Sequence, residues 1–533
     1  MSGWKRELAL GFFFIVASGF VLRPLPFHLG DRIPAGTDPQ HHVYILNWLL
    51  DHGLSGDRFE GRMFHPARNA ILRSDLSLGT VVLLAPLAPF VPDPLVRFNL
   101  ATWFALAFSG WSFCFLARAW SGSLAGGLLA GITAVLGSHQ SLHSVHLNLL
   151  SVGWLPVFLY ALDRLLETPT ARWALLTGVS FTLVAASSGY YGVAAVVVAL
   201  VLFARRHSGR ALVFGALAAL VAAVLLAPYL QAYSDLHAEE SLTRTSRELA
   251  KGSFTLQDLG SRSYVHRGWN PAFGEPLFPG LVVLGFALFA LAKGARRERT
   301  LGLACALLFW LGLGEPGGLY RLLAFPPFSS MRHPVTLTAV AVMLLSVLAA
   351  HGLALWSRDR RAAAVALGFA VAETFCPPGA FFEVAPGVPP VYEQILARAP
   401  GPVLEIPPLS ADPLIWAARR GFETLNGGGA FIPAITLRME TAVQNHWLTD
   451  TYQAIDDSKA ARLLLNETEV RYLILPGRTR GGIDPLAERF KDSRCFRMLG
   501  DYEGDLLYEA SRTRECPAWA SEHPEKPSAP PEA

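Results

Sequence analysis

Apolar runs recur along the first two thirds of the chain, and they leave few folds open. The stretches 8–20, 95–117, 124–137, 147–162, 173–187, 190–204, 211–230, 277–292, 301–314, 334–356 and 362–375 are dominated by Leu, Ala, Val, Phe and Gly. Most come near the ~20 residues that a helical crossing of a bilayer needs, and some are shorter. In hydrocarbon every backbone polar group must be satisfied within the segment, so such runs fold as helices. The pattern predicts a polytopic membrane bundle of about eleven spans. Composition agrees, with 52% hydrophobic and 16% charged residues and a mean hydropathy of +0.34.

The stretch 76–91 is short and is interrupted by Pro86 and Pro89, with Pro92 just beyond. Charge decides how to read it. If it lies along the interface, Lys5/Arg6, Arg118, Arg164/Arg172, Arg205/Arg206/Arg210, Lys293/Arg296/Arg297/Arg299 and Arg358/Arg360/Arg361 all fall on the cytoplasmic side. If it crosses, every cluster after the first lands outside, against the positive-inside rule. The interfacial reading puts 27–94 (the first loop), 231–276 (the central loop), 315–333 and everything after Cys376 outside the cytoplasm. The first run lacks a small-residue cleavage site ahead of "RPLPFHLGDR" and is expected to stay as a span. A net charge of +3, with the basic residues largely in cytoplasmic turns, excludes nucleic acid as a partner.

Beyond residue 378 the apolar runs stop. Strand-like "PVLEIP" (402–407) and "EVRYLILP" (469–476) alternate with helical patterns such as "DDSKAARLLL", which predicts a small extracytoplasmic α/β domain over 379–515 after a membrane core over 1–378. The tail 516–533 is rich in Pro, Glu and Ser and is expected to be disordered. Cys495 and Cys516 lie in this outer part, where a disulfide between them is allowed but not fixed by spacing.

The candidate chemistry lies in the loops. "TDPQHH" opens the first external helix: Asp38 suits a cap followed by Pro39, and Val43, Ile45, Leu46, Leu49 and Leu50 suit an interfacial amphipathic helix. A carboxylate there can equally serve as general base toward an acceptor hydroxyl. "SHQSLHSVHLN" spaces His139, His143 and His146 along one helical face at an external end, which fits solvated histidines, a metal contact, or a phosphate or sugar contact by His146. "SSMRHP" sets Arg332 at the outer mouth of a span, where charge bias gives no reason for a cation. Snorkelling, an ion pair and a bidentate grip on a lipid phosphate all explain it. Tyr190 and Tyr191 in "SGYYG" read as interface anchors or sugar-stacking rings. Arg262 and His266 stand in the polar central loop, the natural place for specificity.

A short first span followed by a long external loop that opens on an Asp is similar to the GT-C superfamily of integral membrane glycosyltransferases. So are "RMFHPARN", "LAPLAPFVPDPLVRFNLATW", "SLHSVHLNLLSVGWLPVFLYALDRLL", "ASSGYYG", "EPLFPGLVVL" and "PPFSSMRHPVTLT", together with "VLEIP" and "VRYLILP" of the outer domain. The resemblance covers most of residues 1–530 and rests on many short motifs. It implies a GT-C-like helical core in a bacterial inner membrane. It also implies inverting transfer of a sugar from a polyprenyl-phosphate donor to a lipid or glycan acceptor of the cell envelope, with Asp38 at the position of the activating carboxylate. Asp38 has no adjacent second acid. No organic cofactor is implied, and a divalent metal stays open. A non-catalytic membrane protein or transporter handling lipid-linked envelope intermediates is the alternative, although its ionisable groups would be expected at mid-depth in the spans, where this chain has few.

Overall fold

A computed structural model describes residues 3–520 apart from 37, 54, 138, 141–142, 207, 241–243, 262–275, 319–330, 358, 376–378, 386, 450–453 and 478–485. The chain divides into two compact units. The first comprises Met1–Ala35, Asp75–Pro92 and Val96–Phe382; the second comprises Gly36–Ser74, Asp93–Leu95 and Glu383–Ala533.

The first unit is helical. Among the described residues four helices are long and apolar enough to cross a membrane by length and composition: Pro94–Ser121, Leu147–Glu167, Gly209–Glu240 and Val335–Trp356. Four shorter apolar helices accompany them, Leu124–Leu136, Ala171–Ala185, Gly189–Arg205 and Leu281–Lys293. The stretch around Pro86 and Pro89 forms a seven-residue helix, Leu78–Leu84, and a single 3₁₀ turn, Ala88–Phe90. At 1.5 Å per residue neither piece approaches the ~30 Å of a hydrocarbon core.

Val335–Trp356 is the central helix and is buried on all sides, packing against Leu281–Lys293, Arg296–Gly312 and Leu124–Leu136. Two glycines permit that closeness. A Cβ on Gly352 would lie 1.9 Å from the Phe286 carbonyl oxygen, and one on Gly126 would lie 2.7 Å from the Ala350 carbonyl oxygen. Small residues at such crossings let helix backbones touch, as helix association in lipid requires. The outward face is apolar too: Leu212, Val213, Leu220, Val224 and Leu230 of Gly209–Glu240, and Leu8, Phe12, Val16 and Phe20 of the first helix, are exposed. So much exposed apolar surface marks a protein whose solvent is lipid, and the chain is a membrane protein.

The second unit holds a four-stranded mixed sheet. Val403–Glu405 pairs in parallel with Tyr472–Leu475, which pairs antiparallel with Asp505–Ala510, and that strand pairs with Phe496–Tyr502. The last two strands are joined by Glu503 and Gly504, both at positive φ (57° and 98°), as a tight two-residue hairpin turn requires. Leu404, Leu473, Tyr508, Phe496, Phe490 and Trp447 form its core with the helices Ala434–Val443 and Lys459–Asn466.

Three expectations change. The helix Asp38–His52 starts where the sequence placed it, but it is not an amphipathic surface helix. Pro39 through Asn47 are all buried, His41, His42 and Asn47 included, and the helix packs on Pro413–Arg420 of the same unit. Disorder does not begin at 516. Cys516 is bonded to Cys495, and Pro517–Ala520 is a helical turn whose Ala518 carbonyl accepts a hydrogen bond from Asn466. The covalent link ties down a segment whose composition alone would leave it loose. His139, His143 and His146 do not share one continuous helix, since His143–Val145 is a 3₁₀ turn and a new helix starts at Leu147.

Candidate functional site

Within the helical unit, polar groups from three separate segments meet at Asp75. Its Oδ2 accepts from Asn148 Nδ2 at 2.6 Å and from Ser188 Oγ at 3.4 Å, and its Oδ1 accepts from the Gly189 backbone N–H at 3.3 Å. Among the described residues no cation pairs with it. Burial pushes its carboxyl above the usual range, opposed by those three hydrogen bonds. Sequence reasoning missed Asp75. Its partners lie 73, 113 and 114 positions away, so no local spacing announces the cluster. The available signal was a lone acid in the otherwise apolar or neutral stretch "LSLGT" that follows it.

The neighbouring segment is also stitched into the bundle. Gly79 donates its N–H to Ser187 Oγ at 2.7 Å and accepts from Trp154 Nε1 at 3.0 Å. Leu78 donates to the Ala186 carbonyl at 3.3 Å. A Cβ on Gly79 would lie 2.3 Å from the Trp154 ring, so only glycine fits.

Tyr190 follows Gly189 at the start of the helix Gly189–Arg206, and its hydroxyl oxygen accepts the backbone N–H groups of Arg332 at 3.1 Å and of His333 at 3.0 Å. Tyr191 behaves differently. It is buried, and its hydroxyl donates to the Leu149 carbonyl at 2.5 Å. Arg332 is exposed, and among the described residues its guanidinium has no carboxylate partner; its Nε lies 2.9 Å from His333 Nε2. Arg244 faces the same region. Burial first, then the like charge of Arg332, lowers its pKa, while its Nη1 pairs with Glu248 at 3.2 Å.

The three histidines gather in spite of the broken helix. The His139 and His143 rings are 4.3 Å apart, those of His143 and His146 are 5.0 Å apart, and the Nδ1 atoms of the latter pair are 3.0 Å apart. His139 is 8% exposed, and neither ring nitrogen has a hydrogen-bond partner. Burial and then the nearby His146 push its pKa down to about 3, so it is a neutral ring. Among the described residues no group of three or more His, Cys, Asp or Glu side chains is placed to hold a metal. Arg262 and His266 lie outside the described residues.

In the second unit Asp38 is partly exposed. Its Oδ1 is 3.9 Å from His41 Nδ1, and His41 Nε2 lies 3.4 Å from Ser74 Oγ. His41 is held by the glycine run after Asn426, because a Cβ on Gly428 would stand 2.9 Å from the His41 Cβ. The first-loop segment is fixed to the sheet by backbone bonds, Thr424 to Arg62, His65 to Thr424 and Phe64 to Asn426.

Comparison with known proteins gives the fold. No protein-family model matches the sequence, and no curated protein matches it. Among solved structures, 96% of the chain superposes on the arabinofuranosyltransferase AftD from Mycobacteria with a TM-score of 0.61 at 15% identity. It also matches the archaeal oligosaccharyltransferase AglB from Archaeoglobus fulgidus, solved with an inhibitory peptide and a dolichol-phosphate, with a TM-score of 0.50 at 12% identity and 96% of the chain covered. The A. fulgidus oligosaccharyltransferase tethered to an acceptor peptide gives 0.52, again at 12% identity and 96% of the chain. The chain spans 42% of AftD's length and 75% and 74% of the two oligosaccharyltransferase chains. The chain thus shares its overall fold with these two kinds of solved transferase.

Proposed function

We propose that this chain is a membrane glycosyltransferase that moves a sugar, with inversion, from a polyprenyl-phosphate carrier to a lipid or glycan acceptor of the cell envelope. The reaction takes place at the outer face of the bacterial inner membrane. The observation that carries the reading is Arg332, an exposed guanidinium with no carboxylate partner among the described residues, on a backbone pinned by Tyr190, in a fold shared with glycosyltransferases. A planar fork that stays charged suits a lipid phosphate, and binding of the phosphate stabilises the charge that grows on it as the sugar departs. That AglB was solved with a dolichol-phosphate supports this class of donor.

In this reading Asp38 takes the proton of the acceptor hydroxyl, so that the oxygen attacks the anomeric carbon while the bond to the carrier phosphate breaks. His146, next to His143 at one end of the bundle, contacts a sugar hydroxyl, and Arg262 and His266 of the central loop set specificity. Tyr190 and Tyr191 serve substrate binding indirectly, the first by holding Arg332 and the second by fixing the packing around Leu149. The Cys495–Cys516 disulfide fits an oxidising compartment and supports an extracytoplasmic second unit.

The test compares purified Arg332→Lys and Arg332→Ala with wild type for binding of a polyprenyl-phosphate sugar. Lysine keeps the charge and loses the fork, so affinity should fall about tenfold, and further with alanine. Wild-type affinity in Arg332→Ala would refute the assignment.

A further inference from the structure

We infer that Asp75 is a positioning residue for Arg332, acting through the start of the helix Gly189–Arg206 and the Tyr190 hydroxyl. The inference rests on the reading that Arg332 meets the donor phosphate.

A half-buried carboxylate with no cation beside it among the described residues is costly, so its retention calls for a reason. Its three donors supply one. Gly189 N–H is one of the orphan donors at the first turn of a helix, and an anion there is favoured by both the hydrogen bond and the helix dipole. Ser188 Oγ and Asn148 Nδ2 complete the set and bring in the turn that carries His146. Burial raises the carboxyl pKa, and the same three donors oppose that rise.

Fixing Gly189 fixes Tyr190, its immediate neighbour. The Tyr190 oxygen accepts two consecutive backbone N–H groups, at 3.1 Å from Arg332 and 3.0 Å from His333. Pro334 follows and brings no N–H, and Val335 is already bonded to the Gly252 carbonyl at 3.0 Å. On the other side of the same turn, Gly252 packs so closely that a Cβ there would stand 2.1 Å from the Arg332 carbonyl oxygen. The root of Arg332 is therefore held from two directions while its guanidinium stays exposed. A fixed root shortens the search of a long side chain and lowers the ordering cost of binding an anion.

The experiment uses the full chain in detergent micelles with Asp75→Asn, Tyr190→Phe and the double variant. Asparagine offers one acceptor oxygen and turns an N–H₂ toward donors, and phenylalanine removes the oxygen that takes both backbone N–H groups. Residue-resolved hydrogen exchange at Arg332 and His333 should accelerate about tenfold or more in each single variant, with mid-helix amides of Val335–Trp356 unchanged. Affinity for a short-chain polyprenyl phosphate should fall by a similar factor, and the double variant should be no worse than the weaker single one, the signature of one coupled path. Wild-type exchange at both amides in Asp75→Asn, or additive losses in the double variant, overturns the inference. If Asp75→Asn does not accumulate, Asn148→Ala removes the closest donor and is read by the same two measurements. Exchange needs no substrate, so a wild-type protein that binds no polyprenyl phosphate would refute the proposed donor and leave the exchange result to judge Asp75.

Discussion

Acidification should destabilise the helical unit through His139 by an amount that can be worked out. The ring is buried, both nitrogens lack partners, and its pKa is down at about 3 in the fold. In the unfolded chain an imidazole titrates near 6.5. A depressed folded pKa means that the unfolded state binds the proton first, so the stability linked to this group is complete above about pH 6.5 and is lost as pH falls from there toward 3. Between pH 7 and pH 5 the linkage integral for one such group comes to about 2 kcal/mol. His139→Phe removes the titration and keeps a ring of similar size beside His143. Reversible unfolding in mixed micelles, read at pH 7 and pH 5, should show the variant losing about 2 kcal/mol less than wild type. Parallel losses in the two proteins would refute a buried neutral imidazole at this position. The result also bears on function, because a neutral His139 cannot serve as a cation for phosphate.

Cys495 and Cys516 close a loop with a sequence separation of 21, and loop-closure entropy for that length is worth about 3 kcal/mol. Cys516→Ser should make the second unit more sensitive to protease in urea by that amount, and equal sensitivity would show that the link adds nothing. Gly352→Ala would force a Cβ to 1.9 Å from the Phe286 carbonyl and should cost about 1–3 kcal/mol or more, seen as a lower melting temperature in detergent. An unchanged melting temperature would contradict the close crossing of those helices. Cysteines placed at the exposed positions Asp57 and Ala250 should react with an impermeant maleimide on spheroplasts, and protection of both would overturn the outward topology.

Local pattern carried the helical unit well and the site only in part. Apolar runs without charge can only be helices in lipid, so Val335–Trp356 and Gly209–Glu240 were readable from composition alone. Arg332 stood out in the sequence as a cation that the expected cytoplasmic turns do not account for, and its exposure is what the structure adds. What escaped depends on distant partners. The helix Asp38–His52 has an amphipathic pattern, yet both faces are buried because Pro413–Arg420, far along the chain, covers it. Tyr190 and Tyr191 are adjacent and alike in sequence, but helical rotation sends one hydroxyl to the Arg332 backbone and the other into the bundle at Leu149. Asp75 needed Asn148 and Ser188, which no window around it contains.

The central claim, a lipid-phosphate sugar transferase with Asp38 as its base, meets its most direct test in the Asp38→Asn variant. Its transfer of labelled sugar from a polyprenyl-phosphate donor would be measured in membranes of a deletion strain. Asparagine is about as good as aspartate at a helix start, so the protein should accumulate normally. It cannot accept the acceptor proton, so transfer should fall by about 100- to 10,000-fold and the envelope glycan should stay missing. Wild-type transfer by a normally accumulating Asp38→Asn protein would contradict the account.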